Sequence, residues 1–470
     1  MKECLHVQLV LSVIVFVMSL DEMRQEVFRQ KKTFGSIVEA WGDRTWVDYY
    51  TQDFKNLGES SGAVLDAIEA ETARILGVRV GKAARLSVAE NKWTNTADHH
   101  GLLCHPYFFS TALARSHASV RKASNAVVTL PFGGVSLSND SFPRGFFFHD
   151  REGEEVRIHF KSLKERRMPV YASLPMKKSD LILDRDRALS FSLSLSAQER
   201  LNALFTAFLA DDRVWTCDTY SEQLTLLTSI LWHELFSSGR GDFVYLEIDT
   251  VVRRLLLQKH LVQETFIFSL IFNVEWRTAF VELFSGVMGS HTPETGTHLF
   301  WHIDHTQKTR RSLFIHGGTL VTREGDVSFP LTPEHIAKGL ENRTLMPSSA
   351  LLLIVIQGVE GLAAGGGPSQ LEYLGSFMGA WEKLLQRFGH TVSLPTASIL
   401  CGDTALFQMH HGKDTFCGLA SLIDIFLYEK DIQGRIDDAL ATTPIKDTAD
   451  ALMPRLYEMY TRNKVAVAPA

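Results

Sequence analysis

"DFVYLEIDTVVRRLLLQKHL" (residues 242–261) is the stretch that decides the fold. Phe243 to Ile248 form an apolar run of strand length that passes without a loop into a helical pattern, with Asp249 or Thr250 placed to cap the helix. A strand feeding straight into a helix is half of a βαβ unit, and such units build parallel sheets covered by helices. A second unit is expected in "ALLLIVIQGVEGLAAGGGPSQLEYLGSFMGAWEKLL" (350–385), as an apolar strand, a glycine-rich loop and a helix from near Ser369. Between the two, "HLFWHID", "RRSLFIHGG" and "TLVTREGDVSFPL" read as a strand and a hairpin, and "TPEHIAKGL" as a short capped helix. The expected fold is therefore α/β, a Rossmann-like parallel-sheet core with helical insertions and an N-terminal helical segment.

The pattern changes along the chain set the boundaries. Residues 20–80 are helical, with Val64, Leu65, Ile68, Ile75 and Leu76 on one face and Gly77 as a stop. The core runs over 81–410, short strands alternating with turns from 88 to 172 and a helical insert at about 190–240. "TFIFSLIFNVEWRTAFVELF" (265–284) reads as one buried core helix, and 411–470 as C-terminal helices.

Residues 1–19 leave three readings open. "LVLSVIVFVMSL" (Leu9 to Leu20) has signal-peptide length but little basic charge before it, and is too short to span a bilayer. It is an extension upstream of a start at Met18, a signal peptide, or a structural strand. The first reading rests on Ser19 as N-cap with Asp21 and Glu22 in the following turn. It implies a cytoplasmic protein, and the second an exported one. No membrane partner is expected.

The bulk chemistry is that of a globular protein. A hydrophobic share of 45% in 470 residues argues against disorder. The net charge of -6 without a basic stripe argues against nucleic acid as a partner. Five cysteines without CxxC spacing fit free thiols better than a disulfide framework. A small-molecule substrate is the partner expected, with a homo-oligomer left open.

Three constellations carry candidate chemistry. "TADHHGLLCHP" (96–106) packs Asp98, His99, His100, Cys104 and His105 together, as a metal site, a catalytic loop or a self-satisfied turn that caps a helix near His105. "HLFWHIDH" (298–305) holds His302, Asp304 and His305 at the last positions of an HxHxDH zinc motif, but Phe300 occupies the first. "QMHHGKDTFCG" (408–418) adds His410 beside a thiol. A metal-dependent hydrolase, with a divalent metal as cofactor, would combine Asp98, His99, His100 or His105 with His302, Asp304, His305 or His410. The triplet Asp98-His99-His100 is also that of the DHH phosphoesterases, but the Asp-x-Asp their metals need is missing from 1–95. "AAGGGPSQ" (363–370) matches neither Walker A nor GxGxxG. It is either a ligand cradle at a helix N-terminus or a crowded turn.

Taken together, the histidine and glycine loops resemble those of the bacillithiol-biosynthesis cysteine-adding enzymes. That family carries Gly-Gln-Gln-x-Gly-Leu-x-x-Gly-Pro after its first core strand and Gly-Pro-x-Glu-x-x-Tyr at a late helix. Gly101, Leu102 and Pro106 match the first, and Gly367, Pro368, Gln370 and Tyr373 align with the second. Asp98 and His99 stand where the family has its glutamines, and His105 where it has glycine. The resemblance covers roughly residues 45 to 410 as architecture and implies a pocket where loops 97–106 and 364–373 meet. In it Gly366, Gly367 and Gln370 would hold a carboxylate, Asp98, His99 or His100 would move protons, and Arg144 would clamp a second anion. His105 and Tyr373 would line the substrate. The implied reaction is ligase-like, C–N bond formation between an amino acid and an amine-bearing metabolite. A binding protein without catalysis is the third reading.

Overall fold

The computed structural model describes residues 18–139, 145–236, 239–287, 295–296, 299–402, 405–411 and 415–465, with the side chains at 409–411, 415–418 and 462–465 set aside. Its centre is a parallel sheet of four strands: β1 (Trp93–Asn95), β2 (Ala126–Thr129), β5 (Asp242–Tyr245) and β11 (Ala363–Gly365), in the order β11-β1-β2-β5. The register pairs Asn95 with both Gly365 and Thr129, and Thr129 with Tyr245. All four strands therefore end at one level. The α/β expectation holds, with the helical insert seen as Leu195–Ala210, Asp212–Trp215 and Tyr220–Phe236.

The connection from β1 to β2 runs through the helix Pro106–Arg115. The connection from β2 to β5 carries the hairpin β3 (Phe146–His149) and β4 (Glu155–Ile158) before the helical insert. Beyond β5 lies an antiparallel sheet ordered β10-β6-β7-β8-β9, made of β6 (Phe300–Asp304), β7 (Thr309–His316), β8 (Thr319–Thr322), β9 (Ser328–Pro330) and β10 (Leu345–Pro347). The expected hairpin and the helix Pro333–Glu341, capped by Thr332, are both present.

Local chemistry explains the element ends. Ser19 caps the helix Leu20–Gln30 as expected, and Glu22 completes a capping box by accepting from the Ser19 N–H. Gly77, with φ at +96°, turns the chain between the helices Gly62–Leu76 and Val78–Asn91. Buried apolar side chains from Met23 to Leu456 form one large cluster, and Met168, Tyr171, Ala172, Ile303 and Met346 form a smaller one beside the antiparallel sheet. Among the described residues no helix is long and apolar enough to cross a membrane.

Three expectations are corrected. The apolar run 350–359 is helical, Ser349–Leu353 followed by a π-helical stretch Ile354–Val359, and the strand is the short Ala363–Gly365 beyond it. A fully buried run without alternation fits either structure, and the Ser348 hydroxyl, accepting from the Leu351 N–H at 3.2 Å, starts the helix. The segment 265–284 breaks at Asn273, whose Oδ1 accepts from Glu275 N at 2.8 Å and opens a second helix, Val274–Phe284. After β5 the helix begins at Ile248, so Glu247 holds the cap position and Asp249 and Thr250 lie in the first turn.

Candidate functional site

In an open parallel sheet, ligands bind beyond the carboxyl ends of the strands, above all where the strand order reverses. Here that point lies between β1 and β11. Thr96, just ahead of the histidine loop, joins the glycine loop there: it donates to Gly365 O through N at 2.8 Å and Oγ1 at 3.0 Å, and Gln370 Nε2 donates to Thr96 Oγ1 at 2.6 Å, but the histidines expected to share a pocket with Gly366, Gly367 and Gln370 do not follow it.

The glycines of this loop serve close packing. A Cβ on Gly365 would stand 2.6 Å from Cys401 Sγ, and one on Gly366 2.7 Å from Gln370 Cγ. Gly366 also exchanges backbone hydrogen bonds with Ile399 and Cys401, which lie alongside β11. The chain then crosses above β1: Gly402, at φ +70°, sits against Ala97 and Phe108 and donates to Thr111 Oγ1 at 2.8 Å. The reversal point is thereby roofed. Gly367 caps the helix Pro368–Arg387, and Tyr373, half-buried, packs edge-on against Phe377.

The histidine loop runs the other way. His100 N donates to Phe132 O at 2.8 Å and Phe132 N to Asp98 O at 2.9 Å, so residues 98–100 prolong the pairing of β1 with β2. Tyr245, at the end of β5, donates its hydroxyl to Asp98 Oδ2 and lies 3.4 Å from His99 O. The His100 ring, 1% exposed, lies 5.1 Å from that of Tyr245, with Nε2 3.4 Å from Thr225 Oγ1. His105 caps the helix Pro106–Arg115 through Nδ1, which accepts from Tyr107 N at 3.4 Å.

Beside Tyr245 stand two acids that sequence reasoning did not single out for chemistry. Glu247 is 1% and Asp249 0% exposed. Asp249 Oδ2 accepts from Gly133 N at 2.7 Å, and Glu247 Oε2 accepts from Thr250 Oγ1 at 2.6 Å. Gly133 has to be glycine, because a Cβ there would overlap Glu247 Oε1. Arg343, held at φ +53°, reaches to 3.9 Å from Glu247 Oε2 and donates to Tyr171 O. Glu247 Oε1 and Asp249 Oδ1 have no hydrogen-bond partner among the described residues. Burial raises both carboxyl pKa values. The Glu247 charge adds to the effect on Asp249, which is pushed up to about 8, while Arg343 works against the rise in Glu247. A signal for these acids exists in "YLEID", carboxylates directly after a parallel strand. Nothing local announces Arg343.

The zinc-like stretch does not converge. His302 Nδ1 lies 3.2 Å from Thr344 O, His305 Nε2 3.2 Å from Arg343 O, and Asp304 Oδ1 accepts from Thr306 N and Gln307 N in a turn. His410 lies on β12 (Gln408–His411), paired with β13 (Thr415–Leu419), and its side chain is outside the described residues, as is Arg144. Among the described residues no three His, Cys, Asp or Glu side chains gather in a way that holds a metal ion.

Two surface cavities have linings that exclude these residues. One of about 460 Å³ lies between the helix Pro368–Arg387 and residues 392–398. The other, of about 540 Å³, lies at the amino end of β5, where Arg79 and Asp242 neutralise each other at 2.7 Å. Neither collects unpaired buried groups, which is why the acid pair ranks above them. In comparison with known proteins, the chain matches no family model and no curated relative.

Proposed function

We propose that the protein is a small-molecule enzyme whose reaction centre lies at the carboxyl edge of β1, β2 and β5. The observation that carries this reading is the gathering of Asp98, Tyr245, Glu247 and Asp249, from the ends of two of these strands, against the glycine turn that follows β2. Buried carboxyl groups with raised proton affinity suit general acid–base work near neutral pH. The resemblance to the cysteine-adding enzymes gives the reaction its class, C–N bond formation between an amino acid and an amine-bearing metabolite. Asp98 and Tyr245 then form the proton-handling pair, and His100, packed on Tyr245, positions it.

The test is a thermal-shift screen of the full chain with amino acids, amino sugars and phosphorylated sugars, followed by turnover assays with whatever binds. Stabilisation by an amino acid together with a second polar metabolite is expected, with turnover lost in Asp98→Asn and Tyr245→Phe. The reading fails if none of these classes shifts the melting temperature. It fails equally if metal analysis of untagged protein returns stoichiometric zinc or manganese, the result a hydrolase would give.

A further inference from the structure

The groove of about 460 Å³ beside the helix Pro368–Arg387 is walled on its far side by residues 392–398, part of a stretch that runs from Thr391 without helix, turn or bend. Ile399 and Cys401 exchange backbone hydrogen bonds with Gly366 at 2.9 Å, so the chain arriving at them passes along the β11 edge of the central sheet. Gln357 fills the space between: its Nε2 donates to Pro395 O at 2.9 Å and its Oε1 accepts from Ala364 N at 3.1 Å. Asn56 O accepts from Thr396 N at 3.1 Å. Upstream of these ties the backbone is open. Among the described residues no N–H or C=O of 391–394 has a hydrogen-bond partner, although exposure alternates from Thr391 to Leu394 as it does along a strand. Such a straight edge with a free row of backbone groups is a template for one more strand.

The helix side of the groove has matching features. Leu371, Leu374 and Met378, all buried, form its apolar floor. Gly375 and Gly379, one turn apart, leave a gap there: a Cβ on either would meet nothing within 4 Å. Packing inside the chain therefore does not require these glycines, and each weakens the helix relative to alanine. What they permit is the close approach of another backbone. Glu382, on the next turn, is the single charge lining the groove, and it forms no ion pair among the described residues. We propose that this groove binds an extended peptide as an added strand along residues 391–394, with apolar side chains at alternate positions and a lysine or arginine against Glu382. A peptide of about seven residues spans it at roughly 3.3 Å per residue. Backbone hydrogen bonds supply the affinity, and the apolar floor and Glu382 select the sequence. A compact apolar molecule would fill the floor and leave the backbone row unpaired. None of the side chains of the proposed reaction centre lines the groove, so peptide binding is measured apart from turnover.

The probes are fluorescein-labelled peptides of about seven residues, valine and threonine in alternation with a lysine at one terminus or the other, titrated against the full chain by fluorescence anisotropy. Saturable binding of one of them is expected. N-methylation of one alternate set of its backbone nitrogens should weaken binding about tenfold and of the other set much less, because a strand offers only every second N–H to its neighbour. Gly375→Leu and Gly379→Leu put a side chain into the gap without meeting the folded chain, so the melting temperature should hold while binding disappears. Glu382→Lys should weaken the lysine peptide about threefold, the scale of an exposed ion pair, and favour a peptide ending in glutamate. The N-methylation comparison uses the unaltered protein and stands even where a variant folds poorly. The proposal is overturned if neither lysine peptide saturates, if both N-methylated sets bind as well as their parent, if both leucine variants keep full affinity, or if Glu382→Lys leaves the preference unchanged. A concentration-dependent dimer that Gly375→Leu turns into monomer overturns it too, since a second copy of the chain would then occupy the groove.

Discussion

Glu360 and Asp249 are both fully buried carboxyl groups, and their surroundings are opposite. Glu360 follows the π-helical stretch Ile354–Val359 and meets Lys259 at 2.7 Å and His260 at 2.9 Å, at the end of a second π-helical stretch, Leu256–His260. Ser61, the cap of the helix Gly62–Leu76, donates to it as well. Against the upward push of burial, His260, Lys259 and Ser61 hold this carboxyl down at about 2. Asp249 is held by backbone N–H groups of the glycine turn, Gly133 at 2.7 Å first among them, beside a like-charged neighbour and without an ion pair among the described residues. Complete pairing marks a clamp that ties three parts of the chain together. The absence of a matching cation is what sets Asp249 apart and what the proposed reaction centre rests on.

The sharpest way to break this contrast is Glu360→Gln. It strands Lys259 without its counter-charge at a buried site, and a loss of about 3 kcal/mol is expected in denaturant unfolding. Gly133→Ala comes next, because the added methyl collides with Glu247, and a loss of about 1–3 kcal/mol is expected with any ligand binding abolished.

Asp249→Asn should behave in the opposite sense to Glu360→Gln, and pH separates the two. The folded pKa of Asp249 is raised, so its contribution is fully present below the unfolded value of 3.8 and is lost as pH rises through about 8. The folded pKa of Glu360 is depressed, so its contribution is present above 4.5 and is lost as pH falls towards 2. Melting curves across pH should show Asp249→Asn gaining on the unaltered protein towards alkaline pH, and Glu360→Gln losing least at acid pH. Parallel curves for the two variants would erase the distinction. The smallest effect is expected for Tyr245→Phe, about 1 kcal/mol from one hydrogen bond to Asp98, measured as a shift in unfolding midpoint.

How much of this was legible in the sequence follows from the range of each interaction. The strand and helix at 242–261, the box at Ser19 and the cap at Thr332 depend on neighbours within a few positions, and each appears where its residues place it. The run 350–359 carries no alternation, so burial on all sides concealed its helical state. Asn273 sat inside an apolar pattern strong enough to hide a cap. At the site, Asp98 to His100 were visible as chemistry, but their turn towards β5 is set by backbone pairing with Phe132. Asp249 reads as a helix cap and Glu247 falls inside the expected strand run, so it is burial that distinguishes them. Arg343 arrives from the antiparallel sheet, and no local pattern connects it to Glu247.

The strand order also dictates a timetable. β1 lies inside the sheet, yet one of its two partners, β11, pairs Asn95 with Gly365 and leaves the ribosome long after it. Until then the nascent chain carries a strand edge flanked by Trp93 with nothing to cover it, and closing the sheet means joining ends far apart in the chain. Such a protein folds late and all at once, and the interval before β11 emerges is when it most needs a chaperone.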